Sequence, residues 1–81
     1  MAKDQKAEDA MVKARLMLML EQPFFGTLAL QLEMVEVTDA SFVDTMAVDG
    51  RHLFYHPPFC ATLSEKEMRG VIAHEVMHCA F

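Results

Sequence analysis

Residues 64–81 read SEKEMRGVIAHEVMHCAF, and both the fold and the chemistry of this chain turn on that stretch. Ser64 followed by Glu67, just before an apolar run, forms a capping box, and Glu65 and Glu67 add negative charge at the positive end of a helix dipole. A helix is therefore expected to start near Glu65. Within it, His74-Glu75-Val76-Met77-His78 is an HExxH pattern. Residues four apart stand one turn apart on the same helix face, so both imidazoles can reach one ion while Glu75 projects beside them. The chemistry this spacing suits is metal-assisted hydrolysis, with His74 and His78 as zinc ligands and Glu75 as general base.

From Gly70 onward the run GVIAHEVMHCAF is apolar almost all round, and Glu75 is its only charged residue. That pattern predicts a helix buried in a core. A carboxylate buried among Met68, Ile72 and Cys79 costs roughly several kcal/mol unless paired or protonated, and a zinc ion would supply the partner. The plainer alternative is two core histidines bonded to backbone, with Glu75 paired to an Arg or Lys. It has to account for three buried polar residues together.

Working back from this helix, Asp49-Gly50 stands between two β-prone runs and predicts a type I′ hairpin pairing residues 43–48 with 51–56, which Pro57-Pro58 ends. In that register Val48 faces Arg51, and Val43, Thr45 and Ala47 share a side with His52, Phe54 and His56. Residues 30–37 alternate well enough to predict another strand. A first helix is expected over residues 4–20 from the stripe Ala7, Ala10, Met11, Ala14 and Leu18, with Pro23 stopping it and Gly26 marking a turn or close approach. The order helix, loop, strand, hairpin, helix makes an α+β fold with a small antiparallel sheet.

Composition narrows the partners. Twelve acidic against seven basic residues give a net charge of −5, so no basic stripe exists to neutralise phosphates and the composition argues against nucleic acid as a ligand. The apolar segments at 16–20 and 23–30 are separated by Glu21-Gln22 and fall short of a membrane span, and residues 1–10 carry no apolar leader. Cys60 and Cys79 without a secretion signal suggest free thiols in a reducing cytoplasm. An 81-residue chain that is 53% hydrophobic and runs only three residues past His78 suggests the N-terminal part of a larger domain, residues 1–81 being truncated after the motif helix.

The chain resembles the bacterial and phage family named the putative metallopeptidase domain, commonly found upstream of a VWA-like domain. The resemblance rests on Pro23-Phe24-Phe25-Gly26, on the Asp49-Gly50 hairpin leading to Phe54-Tyr55-His56-Pro57, and on Leu63-Ser64 before the helix bearing His74 to His78. Val48 and His56 stand where that family is expected to carry threonine and asparagine. The resemblance implies a zincin-like fold, a peptide or protein substrate, and a further histidine ligand beyond Phe81. Within the chain the count stops at two ligands where catalytic zinc usually has three. His52 and His56, about 13 Å apart on one strand at ~3.3 Å per residue, could not both bind one ion, and Cys79 points about 100° away from His78. Two functional classes follow: a zinc peptidase, or a non-catalytic zincin-like module that assembles with a VWA-like domain, an ATPase or a second copy of itself.

Overall fold

A computed structural model describes residues 4–80; Phe81, expected at the end of the last helix, lies outside the described residues. Among these residues the order is α1 (Gln5–Glu21), α2 (Pro23–Gln31), β1 (Glu33–Glu36), β2 (Met46–Val48), β3 (His52–Tyr55), a single turn α3 (Pro57–Cys60) and α4 (Glu65–Ala80). The α+β class stands.

α1 begins where Asp4 caps it, its carboxylate accepting the Ala7 N–H at 3.0 Å. Ala7, Met11, Ala14 and Leu18 are buried as their spacing predicts, whereas Ala10 lies exposed beside that face. Pro23 does more than stop α1. It occupies the first turn of α2, where its missing N–H needs no partner, so a stretch read as loop and strand start is helical. Gly26 is the close approach: a Cβ there would stand 2.2 Å from the Cα of Met19 and 2.4 Å from its N, so α2 reaches the α1 backbone only because residue 26 has no side chain.

The sheet is mixed, in the order β1-β3-β2, which corrects the antiparallel expectation. β3 pairs antiparallel with β2 and parallel with β1. The central place falls to the strand with the most apolar inward side chains: Leu53 is 0% and Tyr55 2% exposed, and β3 meets neighbours on both edges. β1 is shorter than expected because Leu30 and Gln31 belong to α2.

The hairpin register also differs. Val48 pairs with Leu53 and not Arg51, a slip of two residues. Asp49 causes it: its Oδ1 accepts the N–H of Arg51 at 3.1 Å and of His52 at 2.8 Å, which makes Asp49 and His52 the closing pair and Gly50-Arg51 the loop. Among the described residues only Gly50 has positive φ, at 91°, as a type II′ turn requires at its first central position. Because the slip is two residues, the faces survive it, and Ala47 still shares a side with Phe54.

Met34, Met46, Val48, Leu53 and Tyr55 turn toward the helices and join Met11, Leu18, Ile72 and Val76 in one core. Burial, with Glu36 and Glu8 nearby, pushes the Tyr55 hydroxyl up to about 12, so it stays neutral there. Val35, Ala47, His52 and Phe54 form the half-exposed outer face of the sheet, where Phe42 meets Phe54 edge to face at 5.6 Å.

The close approach at Gly26 gives a direct test. Gly26→Ala should lower the unfolding free energy by about 3 kcal/mol, since backbone atoms of α1 cannot move aside as a side chain would. A urea titration reads this as a lower midpoint at unchanged slope; an unchanged midpoint would mean that α2 does not lie on α1 in this way.

Candidate metal centre

α4 is placed by its first turn and by one apolar ridge. Ser64 and Glu67 form the capping box read from the sequence: the Ser64 N–H donates to Glu67 at 2.8 Å and the Glu67 N–H donates to the Ser64 hydroxyl at 3.1 Å. Met68, Ile72 and Val76, four apart, are 3%, 0% and 0% exposed against α1, α2 and β2. Two ion pairs tie the helix to α1, Arg69 Nε to Glu21 at 2.9 Å and Lys13 Nζ to Glu65 at 2.6 Å. Lys13 holds the Glu65 carboxyl below its ordinary range. The Lys13–Glu65 pair is exposed and solvent screens it, the Glu21 end of the other pair is half-exposed, and the ridge sets the rotation of the helix. Sequence gave no signal for these pairs, whose partners are 48 and 52 residues apart.

Once that ridge faces inward, the histidines face outward. His74, Met77 and His78 are exposed and Glu75 is half-buried, so the all-round burial expected of this helix is corrected: one side is covered, and apolar residues such as Met77 remain at the surface. The two imidazoles meet above the helix, with Nε2 of His74 and Nε2 of His78 3.1 Å apart and ring centroids 4.6 Å apart at 89°. Two nitrogens bound at ~2.0–2.1 Å to one tetrahedral zinc stand about 3.3 Å apart, so the lone-pair nitrogens already converge at nearly the separation an ion needs. With one ring protonated at Nε2 the same pair makes an N–H···N hydrogen bond. Glu75 lies between this pair and the buried ridge, and among the described residues its carboxylate has no hydrogen bond or ion pair. Among the described residues no arginine or lysine takes the place that the plainer alternative requires.

The other donors are placed elsewhere. His56 is buried, and its Nδ1 lies 2.8 Å from the Val37 carbonyl, joining the end of β1 to the end of β3. It does not share a face with His52, because the strand ends at Tyr55 and the chain turns into α3. The His52 ring instead sits 3.1 Å from both carboxylate oxygens of Asp49. Backbone N–H bonds from His52 and Arg51, and the His52 ring, hold the Asp49 carboxyl below its ordinary range. Cys79 faces a cavity of about 360 Å³ lined by Leu28, Gln31, Gly50, Arg51 and Val76, away from the histidine pair as its angle predicts. Cys60 is a buried free thiol pushed up to about 11 by burial, and Cys79 is an exposed one. No group of three or more His, Cys, Asp or Glu able to hold a metal occurs among the described residues.

Residues 6–81 match the family described as "Putative metallopeptidase domain". The chain belongs to that family. A search of curated proteins and of solved structures gave no match. The family description implies a metal without saying which, and the convergent imidazoles are the described groups that fit one. No helix among the described residues is long and apolar enough to cross a membrane.

If the pair is the metal-binding element, zinc titration followed by NMR should perturb the ring signals of His74 and His78 and leave buried His56 unmoved. With two protein donors, the ion should be lost on exhaustive dialysis of the 81-residue chain. Zinc retained in stoichiometric amount would reveal a third donor within the chain, and shifts at His56 alone would place the site elsewhere.

Proposed function

We propose that this chain carries the catalytic helix of a zincin-like, zinc-dependent peptidase, with His74 and His78 as metal ligands and Glu75 as general base. The observation that carries the reading is the 3.1 Å convergence of the two Nε2 atoms on an exposed helix face, beside a carboxylate that no other described group engages. Membership in a metallopeptidase family supports the reaction class. Zinc suits imidazole donors and, when bound, supplies a Lewis acid that makes water acidic near neutral pH and polarises a carbonyl.

The chain's own residues divide the remaining work. His74 and His78, one turn apart, would hold the ion. Glu75 takes a proton from the attacking water onto its carboxylate and returns it to the leaving amine. Its half-buried position next to the Val76 ridge limits its rotamers and keeps it beside the pair. β2 is an edge strand packed against α4, so an extended peptide adding to that edge would pass alongside the motif helix. In this reading the third ligand comes from outside residues 4–80, among which no third donor stands with the pair. Free thiols at Cys60 and Cys79 suit a reducing cytoplasm.

One observation favours a second reading. The absence of a third donor among the described residues also suits a non-catalytic module that keeps the helix for assembly, with a VWA-like domain or an ATPase as partner.

A substitution separates the two. In the protein that contains the whole domain, Glu75→Gln should keep fold and zinc but lower hydrolysis ~100-fold or more, whereas His74→Ala or His78→Ala should lose zinc as well. Hydrolysis and biological function both unchanged in Glu75→Gln would leave the assembly module as the better account.

A further inference from the structure

The hairpin turn gives a structural duty to each of its residues except Arg51. Asp49 and His52 close it, and Gly50 supplies the positive φ. The second central position of a type II′ turn needs no positive φ, so nothing in the turn calls for an arginine there. The arginines Arg15 and Arg69 are both engaged by the fold, Arg15 donating to the Leu30 carbonyl and Arg69 to Glu21. Among the described residues the Arg51 guanidinium has no hydrogen bond or ion pair. It stands instead at the wall of the cavity of about 360 Å³, where Leu28, Leu32 and Val76 are apolar neighbours and Gln31 and Cys79 are polar ones. Arg51 is the only charged residue among the described residues that line it. We propose that this cavity receives a carboxylate of the bound peptide, from an acidic side chain or a chain end next to the scissile bond, and that Arg51 holds it.

The proposal rests on the reading of His74, Glu75 and His78 as a peptidase site, and the helix places the cavity beside them. At about 100° per residue the order round α4 is His74, His78, Glu75, Cys79, Val76, so Glu75 stands between the histidine pair and the two residues of α4 that line the cavity. Cys79 lies one turn, about 5.4 Å, beyond Glu75. An extended peptide advances ~3.3 Å per residue, so a group seated in the cavity belongs roughly one or two residues from the bond that Glu75 serves. β2 leads the same way: the strand ends at Val48 and the chain continues through Gly50 to Arg51, so a peptide laid along the β2 edge arrives at the cavity. The lining suits a carboxylate on a short apolar stem. A volume of about 360 Å³ lies within the range of roughly 300–1,000 Å³ found for small-ligand sites. Leu28, Leu32 and Val76 can take the methylenes, and the planar guanidinium fork matches a carboxylate with two parallel N–H bonds.

Cys79 reports on the cavity without metal or activity, because its thiol is exposed there while Cys60 is buried. In EDTA, two probes separate the sources of the carboxylate: acetyl-glutamate amide carries it only on the side chain, and acetyl-leucine only at the chain end. At ~20 mM, the probe that fits should slow alkylation of Cys79 by iodoacetamide at least 3-fold, as a dissociation constant of about 10 mM or below requires. Acetyl-leucine amide, which has no carboxylate, should not. Arg51→Gln should abolish the protection at unchanged circular dichroism. Lys66→Gln, which removes the same charge from the exposed first turn of α4, should leave it intact. In the protein that contains the whole domain, Arg51→Gln should lower kcat/KM for a peptide bearing the protecting carboxylate ~10-fold relative to its uncharged amide counterpart. No protection by either carboxylate, protection that survives Arg51→Gln, or a selectivity ratio that Arg51→Gln does not move overturns the proposal. Failure of the peptidase reading shows itself separately, as hydrolysis unchanged in Glu75→Gln.

Discussion

Burial of the Met68, Ile72 and Val76 ridge is the constraint on which the candidate site depends. Fully burying three such side chains contributes about 5–8 kcal/mol by area, whereas solvent screens the exposed Lys13–Glu65 pair between α4 and α1. The ridge therefore sets the rotation of the helix. With residues 68, 72 and 76 inward, residues 74 and 78 must stand outward and residue 75 at the margin. The histidines need no partner from the fold to bring them together, because the helix alone places them one turn apart.

The rest of the structure supports that ridge from below. Gly26 lets α2 lie directly on the α1 backbone, and the two helices and the sheet make the floor on which α4 rests. The sheet is held at both ends by the two histidines outside the motif, His52 and His56. Asp49 and His52 close the hairpin, and His56 bonds the Val37 carbonyl where β1 and β3 end. That leaves His74 and His78 as the described histidines whose rings bond only to each other.

About a quarter of the way round the helix from the histidines Met77 is exposed, and Val12, Leu16 and Leu20 are exposed on the outer side of α1. A domain this small cannot cover all of its apolar residues with its own elements, since only about 60% of its unfolded surface is buried on folding. The exposed Phe42 packs edge to face on Phe54.

Sequence by itself determined what is local. The capping box placed the start of α4 to the residue, the 3.6-residue period placed four of the five expected core residues of α1, and the i, i+4 spacing placed His74 and His78 together, because each depends on contacts within one or two turns. Asp49-Gly50 located the hairpin for the same reason. Tertiary structure decided the rest. The parallel pairing of β1 with β3 rests on hydrogen bonds between segments about 19 residues apart in sequence, to which alternation is blind. The helical state of residues 23–31 follows from packing on α1 through Gly26, and Pro23 reads equally well as a stop or a start. Which side of an almost wholly apolar α4 faces solvent was undetermined by its composition. It was settled by the side on which α1, α2 and β2 happened to meet it.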